Sequence, residues 1–241
     1  KVIRDAAQCG VTCILTGTDR KENEKIHVFV KEHPVYGTAG IHPHNADSAK
    51  QEDFARMEQI ASENGKIVAI GECGLDYDRM FSTKENQIRC LEKHIALAEK
   101  LNKPLFLHER SAAADFQARF RRHPEICKRS VVHCFTGDRA TAECYLSMGF
   151  YIGVTGWICD DRRAGKLREA VRAIPPERIL LETDAPYLVP RNVPGLSRTN
   201  VPENIVHVAR ELAKYMKISE EELIGAAKEN TERLFGIPCA L

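Results

Sequence analysis

No apolar run in the chain approaches the roughly 18 residues that a bilayer span requires. No basic or acidic excess exists either: 35 Lys and Arg face 34 Asp and Glu, for a formal charge of +1. A broad nucleic-acid-coating face is therefore excluded, and any contact with nucleic acid must be local. Nine cysteines are present, an odd number at irregular spacing, and the nearest pair, Cys9 and Cys13, has neither CxxC form nor a matching second pair. That argues against a disulfide framework and against a zinc ribbon. Cys73, Cys134 and Cys144 lie in apolar segments and read as small core residues in a reducing cytosol. Repeats, low-complexity tracts and linkers are lacking. These exclusions leave a soluble, globular, cytoplasmic chain with no membrane partner, read as one domain over residues 1–241 and as a monomer.

What is present is an alternation. Short β-rich runs recur at 11–16, 35–41, 67–72, 104–108, 131–135, 150–155 and 179–184, and helical stretches separate them. Parallel strands need such crossovers, because a tight turn cannot reach a parallel neighbour. Ser82-Thr83-Lys84-Glu85 has capping-box form ahead of Ile88, Leu91, Ile95, Ala98 and Leu101 at helical spacing. Ser219-Glu220-Glu221-Glu222 repeats the box before Leu223, Ile224 and Ala227. An open doubly wound sheet ordinarily carries an early Gly-rich phosphate turn, and none occurs. The expected class is α/β, a TIM-type (β/α)8 barrel. Seven strands are visible, and Lys1–Gly10 reads as the end of a helix, so the first strand is expected to be missing from this chain together with part of the natural N-terminus.

Four of the runs stop at metal-ligand residues: Glu72, His108, His133 and Asp184. Each alone has an ordinary alternative, as a cap or a hydrogen-bonded core histidine. Together at strand ends they point to a site, because buried charges are costly without a metal or partner. Two carboxylates and two imidazoles suit Mn, Zn, Fe or, with more water, Mg. His42 and His44 flank Pro43 at the end of another strand and could hold phosphate or a second metal, or be an exposed turn. Arg79 and Arg110 lie near these positions, and an Arg fork suits phosphate oxygens. The alternative for Arg79 is a salt bridge with Asp76. Arg119-Phe120-Arg121-Arg122-His123 is read as the solvated end of a helix, and Trp157, at the head of a run ending in Asp160-Asp161-Arg162-Arg163, as a base-stacking or a packing residue.

These motifs resemble the TatD family of metal-dependent deoxyribonucleases, within the amidohydrolase-like barrels. The resemblance runs through Gly-Ile-His-Pro-His at 40–44, Ile-Gly-Glu-Cys-Gly-Leu-Asp-Tyr at 70–77, Leu-His-Glu-Arg at 107–110, Val-His-Cys-Phe-Thr-Gly at 132–137, Tyr-Ile-Gly-Val-Thr-Gly-Trp at 151–157 and Leu-Glu-Thr-Asp-Ala-Pro-Tyr-Leu at 181–188. It implies Glu72, His108, His133 and Asp184 as metal ligands, Glu72 and Asp184 as catalytic, with Asp184 beside the attacking water. It also implies His42, His44, Arg79 and Arg110 as phosphate-binding. One or two divalent ions per site are implied, with Mg2+ favoured over Mn2+ or Zn2+. The activity implied is phosphodiester hydrolysis from the 3′ end of single-stranded DNA, with RNA a further substrate, in DNA repair or fragmentation. Many relatives place a His-x-His on the first strand, the strand expected to be missing here, and commonly have Cys where Glu109 stands. Two other readings remain: a metal-dependent ester or amide hydrolase such as an aminoacyl-tRNA deacylase, and a non-catalytic nucleic-acid-binding barrel.

Overall fold

The computed structural model describes residues 1–237, so Cys239 lies outside the described residues. Helix and strand alternate along the chain: α1 (Val2–Gln8), β1 (Ile14–Leu15), α2 (Arg20–Glu32), β2 (Tyr36–Ala39), α3 (Gln51–Glu63), β3 (Ile67–Asp76), α4 (Lys84–Leu101), β4 (Leu105–Arg110), α5 (Ala113–Phe120), α6 (Pro124–Lys128) and β5 (Val131–His133). Then follow α7 (Arg139–Met148), β6 (Tyr151–Val154), α8 (Gly165–Ala170), β7 (Ile179–Leu181), α9 (Ile205–Met216) and α10 (Glu220–Phe235). All seven expected runs contain a strand. No helix of the described residues is long and apolar enough to cross a membrane. The backbone contacts cluster into two compact units, one of Ile14–Val132 and one of Lys1–Cys13 with the chain from His133 onward.

In the first unit β1, β2, β3 and β4 pair in parallel, each with the next. β3 is buried at all ten positions and continues four residues past Glu72, where the apolar run ends. The cause is a bulge: Gly71 is registered with Phe106 and Cys73 with Leu107, so Glu72 has no counterpart on β4. Its N–H instead donates to Gly17 O at 2.7 Å. A bulge adds a residue and re-aims a side chain without ending the strand, which apolar patterning alone does not reveal. Gly74, at φ +148°, lies so close to β4 that a Cβ there would sit 1.8 Å from His108 O. Ile26 and Val30 of α2, Leu91 and Ile95 of α4, and Phe116 and Phe120 of α5 are buried, as are the strand residues Ile67, Ile70, Leu105 and Leu107.

α4 begins one residue later than the Ser82 box predicts. Thr83 is the N-cap, accepting Asn86 N–H at 3.4 Å, while Ser82 is buried and donates its hydroxyl to His44 O at 2.9 Å. Two polar residues, Gln87 and His94, lie on the buried face of α4 one heptad apart. Gln87 accepts Asp76 N–H at 2.8 Å and donates to Asp76 O at 3.0 Å and Ser82 O at 2.9 Å. A helix that carries an amide in its apolar stripe can therefore fix the loop that leaves the neighbouring strand.

In the second unit β6 and β7 pair in parallel, with Ile152, Gly153 and Val154 opposite Ile179, Leu180 and Leu181. Asp138 caps α7 by accepting Thr141 N–H at 2.9 Å, and Ser219 caps α10 by accepting Glu222 N–H at 3.1 Å, as its sequence predicts. Asn230 of α10 donates to Pro176 O at 2.8 Å and Ile179 O at 2.9 Å, which pins the start of β7. The expected strand at 179–184 stops at Leu181 because the chain then turns, and Asp184 adopts φ +55°.

Candidate metal centres

Within Ile14–Val132, the bulged Glu72 meets two histidines. Its Oε1 lies 3.0 Å from His108 Nδ1 and 3.4 Å from His42 Nε2. Ligand atoms of these three residues all fall within 4.8 Å of one another. A divalent ion with bonds of about 2 Å holds its ligands about 3–4 Å apart, so small side-chain adjustments bring this trio onto one ion. Two further groups brace it. Asp76, 1% exposed, takes His44 Nε2 at 2.7 Å and His108 Nε2 at 3.3 Å on the same Oδ2. Its Oδ1 accepts the N–H groups of Asp78 and Arg79, both at 2.9 Å.

Electrostatics follow from this packing. Burial alone would raise the Asp76 carboxyl, but hydrogen bonds from His108, the Arg79 amide and His44 outweigh it and hold the group well below the usual carboxylate range. At His44 burial pushes the imidazole below its ordinary value, and the Asp76 hydrogen bond offsets part of that. The cluster thus keeps an ionised carboxylate beside a His44 imidazole that burial biases toward its neutral form.

In the second unit His133, Cys134 and Asp184 form another such trio, again with ligand atoms within 4.8 Å of one another. His133 Nε2 stands 3.9 Å from Asp184 Oδ1. His133 Nδ1 is 2.7 Å from Glu182 Oε2, which also accepts Cys134 N–H at 3.0 Å. A carboxylate on one ring nitrogen fixes the tautomer and frees the other nitrogen for a metal. Glu182 Oε1 is buried and has no hydrogen-bond partner among the described residues, as suits a group reserved for an ion or its water. Gly153 of β6 makes room for it, since a Cβ there would lie 2.1 Å from that oxygen. Cys134 and Asp184 both hold left-handed backbone, φ +46° and +55°. Non-glycine residues in that region store about 1–3 kcal/mol each and concentrate at functional sites.

The four expected ligands therefore fall into two pairs, each inside one unit: Glu72 with His108, and His133 with Asp184. His42 joins the first pair directly and His44 joins through Asp76. Arg110 pairs with Asp78 at 3.3 Å. Arg79 is exposed, and among the described residues its guanidinium forms no ion pair with Asp76, which takes the Arg79 amide instead. Glu109 accepts Ala112 N–H at 2.7 Å ahead of α5. Phe120 of the basic run is fully buried, so it offers no stacking surface. Sequence reading missed Glu182, Cys134, Gln87 and His94. Glu182 was within reach, because a carboxylate two residues before Asp184 shares its face of an extended segment.

A sequence model described as TatD related DNase matches residues 1–236. A protein of Erwinia tasmaniensis, "3′-5′ ssDNA/RNA exonuclease TatD", is 40% identical over 98% of this chain and 93% of its own. The like-named protein of Pantoea vagans is 40% identical over 98% of this chain and 92% of its own. Among solved structures, the TatD homolog YJJV of Escherichia coli matches with a TM-score of 0.88 at 30% identity, covering 98% of this chain and 91% of that one. A TatD family hydrolase of Entamoeba histolytica matches with a TM-score of 0.85 at 27% identity, covering 97% of this chain and 88% of that one. These likenesses give the α/β fold its type, the TIM barrel.

Proposed function

This chain belongs to the TatD related DNase family, and from that premise we propose that it is a metal-dependent exonuclease hydrolysing phosphodiester bonds from the 3′ end of single-stranded DNA, and of RNA. The observation that carries the reading is the trio His42, Glu72 and His108, set on a strand bulge with its ligand atoms within 4.8 Å of one another. We assign divalent-metal binding to Glu72 with His108 and, within the other unit, to His133 with Asp184, with Mg2+ the physiological ion ahead of Mn2+ or Zn2+. When bound, a divalent ion supplies polarisation of a phosphoryl oxygen and a lowered pKa for water.

The protein's own groups do the rest. Asp184 orients the attacking water in line with phosphorus and takes its proton. Glu182 holds His133 in the tautomer that presents Nε2. His44 contacts the phosphate, with its ring fixed by the 2.7 Å hydrogen bond to Asp76, and His42, 3.4 Å from Glu72, is shared between the phosphate and the ion. Arg79 and Arg110 donate to the non-bridging oxygens, where the charge of the transition state accumulates. No covalent enzyme intermediate is required. A monomeric, cytoplasmic protein that trims strands in DNA repair or fragmentation fits this chemistry.

The test digests 3′-labelled and 5′-labelled single strands of DNA and RNA with metal-stripped protein resupplied with Mg2+, Mn2+ or Zn2+. Loss of label from the 3′ end first is expected. Asp184→Asn should lower kcat by roughly 10²–10⁴, the usual contribution of a positioned base. Undiminished cleavage by both Glu72→Ala and Asp184→Asn would overturn the assignment. Ester and aminoacyl substrates in the same panel separate this activity from a deacylase.

A further inference from the structure

Asp160, directly after the turn Gly156–Cys159, is 2% exposed and gathers three arginines. Arg162 grips it with two hydrogen bonds, Nε to Oδ1 at 2.8 Å and Nη2 to Oδ2 at 2.7 Å. Arg163 Nε reaches Oδ2 at 2.9 Å and Arg191 Nε at 3.5 Å. The three side chains are themselves 65%, 41% and 60% exposed. The guanidinium of Arg163 also lies 3.7 Å over the Trp157 ring.

One buried carboxylate facing three guanidinium groups leaves two positive charges at the surface. Neighbouring Asp161 turns to Arg168 at 2.6 Å, an arginine that Glu211 shares at 3.3 Å, and among the described residues it forms no ion pair with the three arginines. Arg163 and Arg191 both meet Asp160 through Nε, so the Asp160 pairing does not occupy their Nη groups. A purely structural anchor for Asp160 would need one fork, and the bidentate Arg162 already supplies it. The surplus donors are held in place by a residue that solvent does not reach, which lowers the entropy lost when they bind an oxyanion. Planar forks with unused donors match phosphodiester oxygens.

We propose that Arg162, Arg163 and Arg191, assembled on Asp160, form a second binding site that holds the sugar-phosphate backbone of a single-stranded nucleic acid through residues that are not among the hydrolytic groups named above. The inference rests on the exonuclease reading above. It gives a role to the run from Trp157 to Arg163, which hydrolysis itself does not require.

The test compares wild type with the triple variant Arg162→Gln, Arg163→Gln, Arg191→Gln in Mg2+. Binding of a phosphorothioate-linked strand of roughly 20 nucleotides is followed by fluorescence anisotropy across a salt series, and hydrolysis of a dinucleotide is measured in parallel. The variant should bind the strand at least about tenfold more weakly at low salt, and the slope of log affinity against log salt should shrink by about 1.4, at ~0.7 for each of the two phosphates that the surplus charges no longer neutralise. Dinucleotide hydrolysis should be unchanged. Arg191→Gln alone removes the longest of the three Asp160 pairings and should give about half of the slope change, which guards against a misfolded triple variant. Unchanged strand affinity and slope, with wild-type cleavage intact, would overturn the second site alone. A wild-type protein that cleaves neither substrate would overturn the exonuclease reading itself, and the second site with it.

Discussion

The Nε2 atom of His94, buried in α4, accepts the backbone N–H of Ile41 at 3.0 Å, one residue before His42. The other ring nitrogen, Nδ1, lies 2.7 Å from Cys90 O, one turn back in the same helix, and donates to it. Both nitrogens are therefore committed as a neutral imidazole, one donating and one accepting. The ring ties the His42 segment to a helix whose other buried polar residue, Gln87, ties down Asp76.

His94 makes folding sensitive to acid. Burial lowers its pKa from the ordinary 6.5 to about 4. Between those values the unfolded chain binds the proton and the folded chain does not, so stability is intact above about pH 6.5 and falls as the pH drops toward 4. The full loss is about 3 kcal/mol, from 1.36 kcal/mol per pKa unit. Urea unfolding of wild type and His94→Gln at neutral and mildly acidic pH measures it. The variant should lose distinctly less stability on acidification, and equal pH slopes would contradict the assignment.

Replacing Gln87 by Met strands one N–H and two C=O groups in the core. At about 1–3 kcal/mol for each buried group left unsatisfied, the variant should lose several kcal/mol in denaturant unfolding. A loss below about 0.5 kcal/mol would mean that water or a rearranged loop satisfies these groups instead.

Glu182→Gln keeps the size of the side chain but removes the charge that orients His133. Divalent-ion affinity, read by calorimetric titration of metal-free protein, should fall about 10- to 100-fold, the usual effect of losing such a brace. Thermal stability without metal should change little, and unchanged metal affinity would remove Glu182 from the site.

Gly153→Ala is expected to act on the same carboxylate from the other side. Its new Cβ would stand 2.1 Å from Glu182 Oε1, and Glu182 cannot easily yield while it holds His133 and the Cys134 amide. Metal affinity should drop in proportion to the Glu182→Gln effect, and a methyl tolerated at wild-type affinity would show that Glu182 is mobile.

The strand-helix alternation was legible because each apolar run is short and bounded by helical spacing, and all seven runs hold a strand. Boundaries were less legible. β3 outlasts Glu72 through a bulge, and β7 stops before Asp184, because register and turn geometry depend on the neighbouring strand and not on local hydrophobicity. Metal-ligand residue types were visible at Glu72, His108, His133 and Asp184, but the partners that hold them were not. Gln87 and His94 look like interruptions of an apolar helix face until the backbone groups they meet are known. Arg79 and Asp76, adjacent enough in sequence to suggest an ion pair, are joined by the Arg79 amide instead, and Arg79 is exposed.

By itself the sequence determined the α/β class, the ligand types and the family resemblance, since all three are written in residue identity and spacing along one dimension. Only the tertiary structure decided that Glu72 meets His42 as well as His108, that Glu182 orients His133, and that Asp160 gathers Arg162, Arg163 and Arg191. Those pairings depend on which backbones approach closely enough, at Gly74 against β4 and Gly153 beside Glu182, and closeness between distant segments is set by packing in three dimensions.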